Sequence, residues 1–242
     1  MSSSVLVNRF KDAHGVASAA AEYFVTRVGQ LVDEQAQVHV QLTGGTVGIA
    51  TLAAIAERED AHLLDWSRVH FWWGDERYVA SDSPDRNAVQ ARKALLSKIA
   101  VIEANVHEFP ATNSGLTLDQ AEHLFSAEVL MQKPQFDLAL VGMGPDGHVC
   151  SLFPGKPDSN AEVWVIAEHD SPKPPSQRLS FSYGAMNSVN EILFVVAGAD
   201  KSPAVKQVFD KDAEKLPAAK IAGKSKTIWF VDQTAGNETW GC

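Results

Sequence analysis

FDLALVGMGPDGHVCSLFPG, residues 136–155, is the stretch on which the fold turns. A mostly apolar run of strand type, 136–141, breaks into a loop that holds Gly142, Gly144 and Gly147. With Glu168 about 20 residues further on, that spacing imitates a dinucleotide-binding fingerprint. Such a unit needs a helix between the glycines and the acid, and Pro154, Gly155 and Pro157 leave no room for one. What remains is a glycine-rich loop presenting Asp146 and His148 just past a strand.

Working outward, further runs of strand type lie at 38–42, 69–73, 163–167, 192–197 and 227–231. Between them the apolar residues take helical spacing: Val16, Ala20, Phe24 and Val28, then Ile49, Leu52 and Ile55, then Leu118, Ala121, Leu124 and Phe125. This alternation predicts an α/β fold, doubly wound, with a mostly parallel sheet and helices on both faces. Two stretches interrupt it, a proline-rich one at 156–175 and a lysine-rich one at 210–226, where Leu216 and Pro217 open a short helix. Neither resembles a linker, so a single domain over 1–242 is expected, with its site beyond the carboxyl ends of the strands.

The 242 residues are 45% hydrophobic, enough for a full core. Thirty acidic residues against 21 basic ones give a net charge of −9, which argues against nucleic acid or an anionic membrane as partner. An anionic substrate then requires a local basic site. Two cysteines, Cys150 and Cys242, give no material for a disulfide framework or a thiolate zinc cluster. No metal and no cofactor is expected. The opening MSSSVLVNRFKDAHG lacks the features of a signal peptide, and no run is long enough to span a membrane, so the expected compartment is the cytoplasm.

Gly44 and Gly45, in LTGGTVGIATL at 42–52, stand between a strand and a helix. They fit either a phosphate cradle at a helix N-terminus or a tight turn that needs small residues. FWWGDERYVASDSPDRN, 71–87, puts Asp75, Glu76 and Arg77 after a buried strand. There Arg77 either forks onto an anion or pairs with Asp75 or Asp85. Arg178, after a proline-rich turn, and Lys201, after ILFVVAGAD, are surface charges taken singly. With Arg77 and the Gly44 loop they make a dianion pocket. His148 suits general base work and Asp146 its support. The other histidines, His14, His39, His62, His70, His107, His123 and His169, read as structural. No GxSxG elbow occurs, and Cys150, before the apolar SLFPG turn, reads as a buried small residue rather than a nucleophile.

Taken in order, TGG (43–45), WGDER (73–77), DRN (85–87), GMGPDGH (142–148), SLFPG (151–155), PPSQR (174–178) and AGADK (197–201) resemble the 6-phosphogluconolactonase family over nearly the whole chain. The resemblance implies hydrolysis of 6-phospho-D-glucono-1,5-lactone to 6-phosphogluconate, the second step of the oxidative pentose phosphate pathway, by a monomer or weak homodimer. It implies His148 as catalytic base, Asp146 and Asp75 near the reacting end, and Arg77, Arg178, Lys201, Gly44 and Gly45 around the phosphorylated substrate. The chain departs from the family's usual SGGSTP loop at Val47 and Gly48. Two other readings compete with lactone hydrolysis. A glucosamine-6-phosphate deaminase of the same fold group carries DGHIAFNEP, whose glutamate is missing from DGHVCSLFPG here. A non-catalytic sugar-phosphate sensor would be favoured by loss of Asp146 or His148, and both are present.

Overall fold

Valine, isoleucine and aromatic residues build the strands, as their branched or flat side chains pack well on a pleated surface. The structure is a computed structural model that describes residues 4–158, 162–210 and 214–236; Cys242 lies outside the described residues. Six strands form one sheet in the order β1-β9-β8-β5-β2-β3: β1 (Ser4–Phe10), β2 (Val38–Leu42), β3 (Val69–Trp73), β5 (Phe136–Val141), β8 (Glu191–Val196) and β9 (Lys226–Asp232). Every neighbouring pair in it runs parallel. The expected mostly parallel α/β sheet is therefore present, and β1 extends it by an edge strand the sequence did not announce. The chain leaves β2 for β3 on one side and later returns as β5 on the other. The carboxyl ends of β2 and β5 thus flank the topological switch point, where open α/β sheets bind ligands.

Helix α1 (Ala13–Glu34) starts at Asp12, whose side chain accepts the Gly15 N–H, and buries Val16, Ala20, Phe24 and Val28. It packs against α2 (Thr46–Ala56) and the sheet. The other helices are α3 (Asn87–Ala94), α4 (Leu118–Gln132), α5 (Tyr183–Met186) and α6 (Ser202–Phe209). In α4 a capping box of Thr117 and Gln120 sets the start, and the buried stripe is Leu118, Ala121, Phe125 and Val129. Leu124, expected on that stripe, is instead 56% exposed, one position off the 3.6-residue period. The expected turn after Leu216 is present as a 3₁₀ turn at Pro217–Lys220.

The run expected at 163–167 is a strand, but not of the main sheet. It forms β6 (Val165–Glu168), which pairs with β7 (Arg178–Phe181), and β7 pairs in turn with β4 (Asp75–Arg77), all antiparallel. This small sheet and α4 cover the face of the main sheet that carries Trp72 and Phe136: Phe125 and Phe181 lie 6.0 and 6.5 Å from Trp72, and Phe181 lies 5.2 Å from Phe136. On the same face His39, His70 and His107 form a buried stack beside Trp72. His39 Nδ1 accepts from Trp72 Nε1 at 3.1 Å, and burial, with the charges of His70 and His107 adding to it, pushes its pKa down to about 4. All three are buried, and His70 stacks between the other two.

Candidate active site

Three loops leave the carboxyl ends of neighbouring strands and line one cleft of about 600 Å3: residues 43–48 after β2, 142–150 after β5 and 197–201 after β8. The small sheet supplies a further wall. Arg77 and Arg178 are cross-strand partners on β4 and β7, so they reach the cleft from an antiparallel pair rather than from the ends of the parallel strands, as their sequence context had implied.

Gly45 is the N-cap of α2 at φ 77°, a backbone conformation that favours glycine, and no side chain caps the helix. The first N–H groups of α2 therefore have no side-chain cap, and Thr43, Gly44, Gly45 and Thr46 around them line the cleft. Gly44 abuts the Asn87 amide. Val47 and Gly48, the two departures from the usual loop, also line the cleft, with one hydroxyl replaced by the Val47 side chain and a proline by Gly48.

The loop after β5 is folded on itself by Gly144 N–H to the His148 carbonyl (2.9 Å) and Gly147 N–H to the Gly144 carbonyl (3.0 Å). The turn at Pro217 braces it, with Ala218 N–H donating to Gly147 at 3.0 Å. A Cβ on Gly144 would sit 2.0 Å from the His148 ring, so only glycine lets the imidazole fold over this turn. His148 Nδ1 lies 2.5 Å from Asp146 Oδ1, and its ring leans on Phe153 at 4.8 Å between centroids. With the Nδ1 proton donated to the carboxylate, Nε2 carries the lone pair of a base. Burial lowers the His148 pKa from its ordinary value, against the raising effect of Asp146. Burial likewise raises Asp146, but the imidazole and a neighbouring ammonium outweigh it and hold the carboxyl below its usual range. That ammonium is Lys173, at 3.2 Å from His148 Nδ1 and 3.5 Å from Asp146 Oδ1.

Asp75 is buried and multiply held: it accepts from Ser151 Oγ at 2.7 Å and from Asn87 Nδ2 at 3.3 Å, with Arg178 Nη1 at 3.9 Å. Asn87 Nδ2 also donates to the Asp75 carbonyl at 2.8 Å, which leaves its buried Oδ1 without a protein partner at the edge of the cleft. Arg178 is buried and spends Nε and Nη2 on the carbonyls of Pro175, Lys173 and Pro174, at 3.1 to 3.2 Å. Arg77 Nη1 donates to the Asp85 carbonyl at 2.5 Å, and its Nε has no partner. Lys201 Nζ lies 3.1 Å from Asp200.

The cleft thus gathers Gly44, Gly45, Asp75, Arg77, His148, Arg178 and Lys201, with Asp146 behind the histidine. The sequence reading did not single out Lys173, Asn87 or Ser151 for roles, although each lies in or beside a quoted motif. Cys150 borders the cleft at φ 51°, and burial raises its thiol well above the ordinary value, which disfavours a thiolate nucleophile. Among the described residues, no three His, Cys, Asp or Glu side chains are grouped to hold a metal ion, and no helix is long and apolar enough to cross a membrane.

A family model described as "Glucosamine-6-phosphate isomerases/6-phosphogluconolactonase" matches residues 11–229. Among curated proteins, the 6-phosphogluconolactonase of Mycobacterium tuberculosis is 37% identical over 245 residues, covering 97% of this chain and 98% of that protein. The 6-phosphogluconolactonase of Streptomyces coelicolor is 35% identical over 240 residues, covering 94% and 92%. Among solved structures, the crystal structure of 6-phosphogluconolactonase from Thermotoga maritima is similar with a TM-score of 0.85 at 30% identity, covering 95% of this chain and 100% of that one.

Proposed function

The chain belongs to the glucosamine-6-phosphate isomerase and 6-phosphogluconolactonase family, and from that membership we infer an enzyme that opens 6-phospho-D-glucono-1,5-lactone with water to give 6-phosphogluconate. The observation that carries the reaction is the pairing of His148 with Asp146 in a cleft whose lining includes Arg77, Lys173, Arg178 and Lys201. A δ-lactone is an activated ester. It needs positioning, a base for water, and stabilisation of the charge that develops on the carbonyl oxygen.

In this reading neutral His148 takes a proton from the water attacking C1, and Asp146 stabilises the imidazolium that forms. Collapse of the tetrahedral adduct breaks the C1 to ring-oxygen bond, and the imidazolium returns its proton to that oxygen. The α2 N-terminus with Gly44 and Gly45, together with Arg77 and Lys201, binds the phosphate. Arg178 and Asp75 shape the reacting end. The proposal includes one domain, a single small-molecule substrate and the cytoplasm as compartment; a reducing environment suits Cys150, which is unpaired.

Turnover of freshly generated lactone, corrected for its spontaneous hydrolysis, tests this directly. The expected result is saturable hydrolysis, with no ammonia released from glucosamine 6-phosphate. Absence of turnover together with tight binding of 6-phosphogluconate would instead favour a sensor. The phosphate assignment has its own check. Arg77→Ala and Lys201→Ala are each expected to weaken 6-phosphogluconate inhibition by about tenfold to a hundredfold, since a charged hydrogen bond contributes roughly 1.5 to 3 kcal/mol. Their effects should not add, because both cations face one dianion. Hydrolysis of the unphosphorylated lactone should change little; equal losses on both lactones would place the phosphate elsewhere.

A further inference from the structure

Of the four cations that line the cleft, three are engaged away from the histidine. Arg178 is spent on backbone carbonyls, Arg77 reaches the Asp85 carbonyl and Lys201 pairs with Asp200. Lys173 differs: its ammonium meets His148 Nδ1 and Asp146 Oδ1 on one edge of the imidazole. It therefore bears on the edge of the ring opposite to Nε2. The backbone beneath it is fixed. The Lys173 carbonyl accepts from Arg178 Nη2 at 3.2 Å and from Ser171 Oγ at 3.0 Å, and its N–H donates to Ser171 Oγ at 3.2 Å.

This arrangement answers a difficulty in the chemistry. A carboxylate 2.5 Å from an imidazole favours the imidazolium, and a histidine that is already protonated cannot deprotonate water. Asp75 adds to the same bias from the β4 side, while the Phe153 ring against His148 contributes no charge. Burial of the ring is the main influence against that bias, and an ammonium that shares the Asp146 carboxylate adds to it by repelling the imidazolium. The ammonium also holds Asp146 in place. We propose that Lys173 is a positioning residue for His148, whose ammonium shares Asp146 with the imidazole and keeps the ring neutral and oriented until the attacking water gives up its proton. The proposal rests on the reading of His148 as the base. It gives the proline-rich segment before β7 a role in catalysis, since Arg178 clamps the very carbonyls that set Lys173 against the histidine.

The test compares Lys173→Met, which keeps length and removes charge, with Lys173→Arg, which keeps charge. The readouts are kcat/KM between about pH 5 and 8 and the His148 ring titration followed by NMR. Losing the ammonium raises the affinity of the ring for a proton. In Lys173→Met the acid limb of kcat/KM and the NMR midpoint should therefore both move up together, with a smaller change in plateau kcat. Lys173→Arg should bring the midpoint back. An unmoved midpoint in Lys173→Met, with His148→Ala still inactive, would overturn the proposal and leave the base intact. A collapsed plateau without a shift would also overturn it, because the ammonium would then be acting on the reacting oxygens. Full turnover in His148→Ala would sink the base assignment and this proposal with it, and would be told apart by the alanine variant alone.

Discussion

Replacing His148 with alanine is expected to lower kcat by about 10²- to 10⁴-fold, the range for loss of a general acid or base, while KM stays close to that of the parent. The side chain lies at the cleft with its ring on Phe153, and its fold-bearing contact is its carbonyl, which accepts from Gly144 and survives the substitution. The variant should therefore fold, and its circular dichroism should match the parent's. The parent's kcat/KM should fall as pH drops through the His148 midpoint, which burial holds below its ordinary value of 6.5, because protonation removes the base. In the alanine variant that limb should vanish, leaving a small residual rate from substrate positioning. Steady-state kinetics on freshly generated lactone decide it: near-parent turnover in a folded variant would refute the assignment.

The second large effect is on stability and involves Glu76, which touches no substrate in this reading. Its carboxyl is buried and accepts three backbone N–H groups: Arg77 at 2.8 Å, Asn87 at 2.7 Å and Ala88 at 2.9 Å. Asn87 and Ala88 open α3, whose own N-cap, Arg86, offers no side-chain hydrogen bond, so Glu76 serves as an external cap for that helix. Arg86, itself buried, stands with Nε 3.6 Å from the carboxyl and its Nη groups on the carbonyls of Phe109 and Pro110. Burial pushes the Glu76 pKa up to about 7, against the pull of Arg86 and the three N–H groups. Glu76→Ala would leave these donors and a buried guanidinium without their acceptor, an expected loss of about 3 to 5 kcal/mol in unfolding free energy. Glu76→Gln keeps an acceptor and should lose less. Urea denaturation measures both. A loss under about 1 kcal/mol for the alanine variant would show that α3 and β4 are held by packing alone.

Asn87 connects the two effects. It begins α3 under the Glu76 cap and turns its amide toward Asp75, with Gly44 packed against it. The Glu76 cap therefore positions a residue at the edge of the cleft without touching substrate itself.

The sequence by itself determined the α/β class, five of the six main-sheet strands, the helices α1, α2 and α4, and the loops in which His148, Asp146, Gly44 and Lys201 lie. These are local signals. A buried parallel strand reads as a short apolar run, a surface helix as a 3.6-residue stripe, and a glycine-rich turn after a strand needs no distant partner to be seen. Only the tertiary structure decided the rest. A three-residue strand such as β4 is too short to show a period, and its existence depends on β7, about a hundred residues away in the chain, so the small antiparallel sheet that carries Arg77 and Arg178 had no local signature. Lys173 sits 25 positions after His148, beyond β6, and a lone lysine among prolines is ordinarily a surface charge. Buried Arg178 clamps the carbonyls of Lys173 and Pro174, and that backbone carries the Lys173 ammonium to the imidazole. Charge interactions of this kind act over a few ångströms, and chain separation does not encode such distances until the fold has closed the loop.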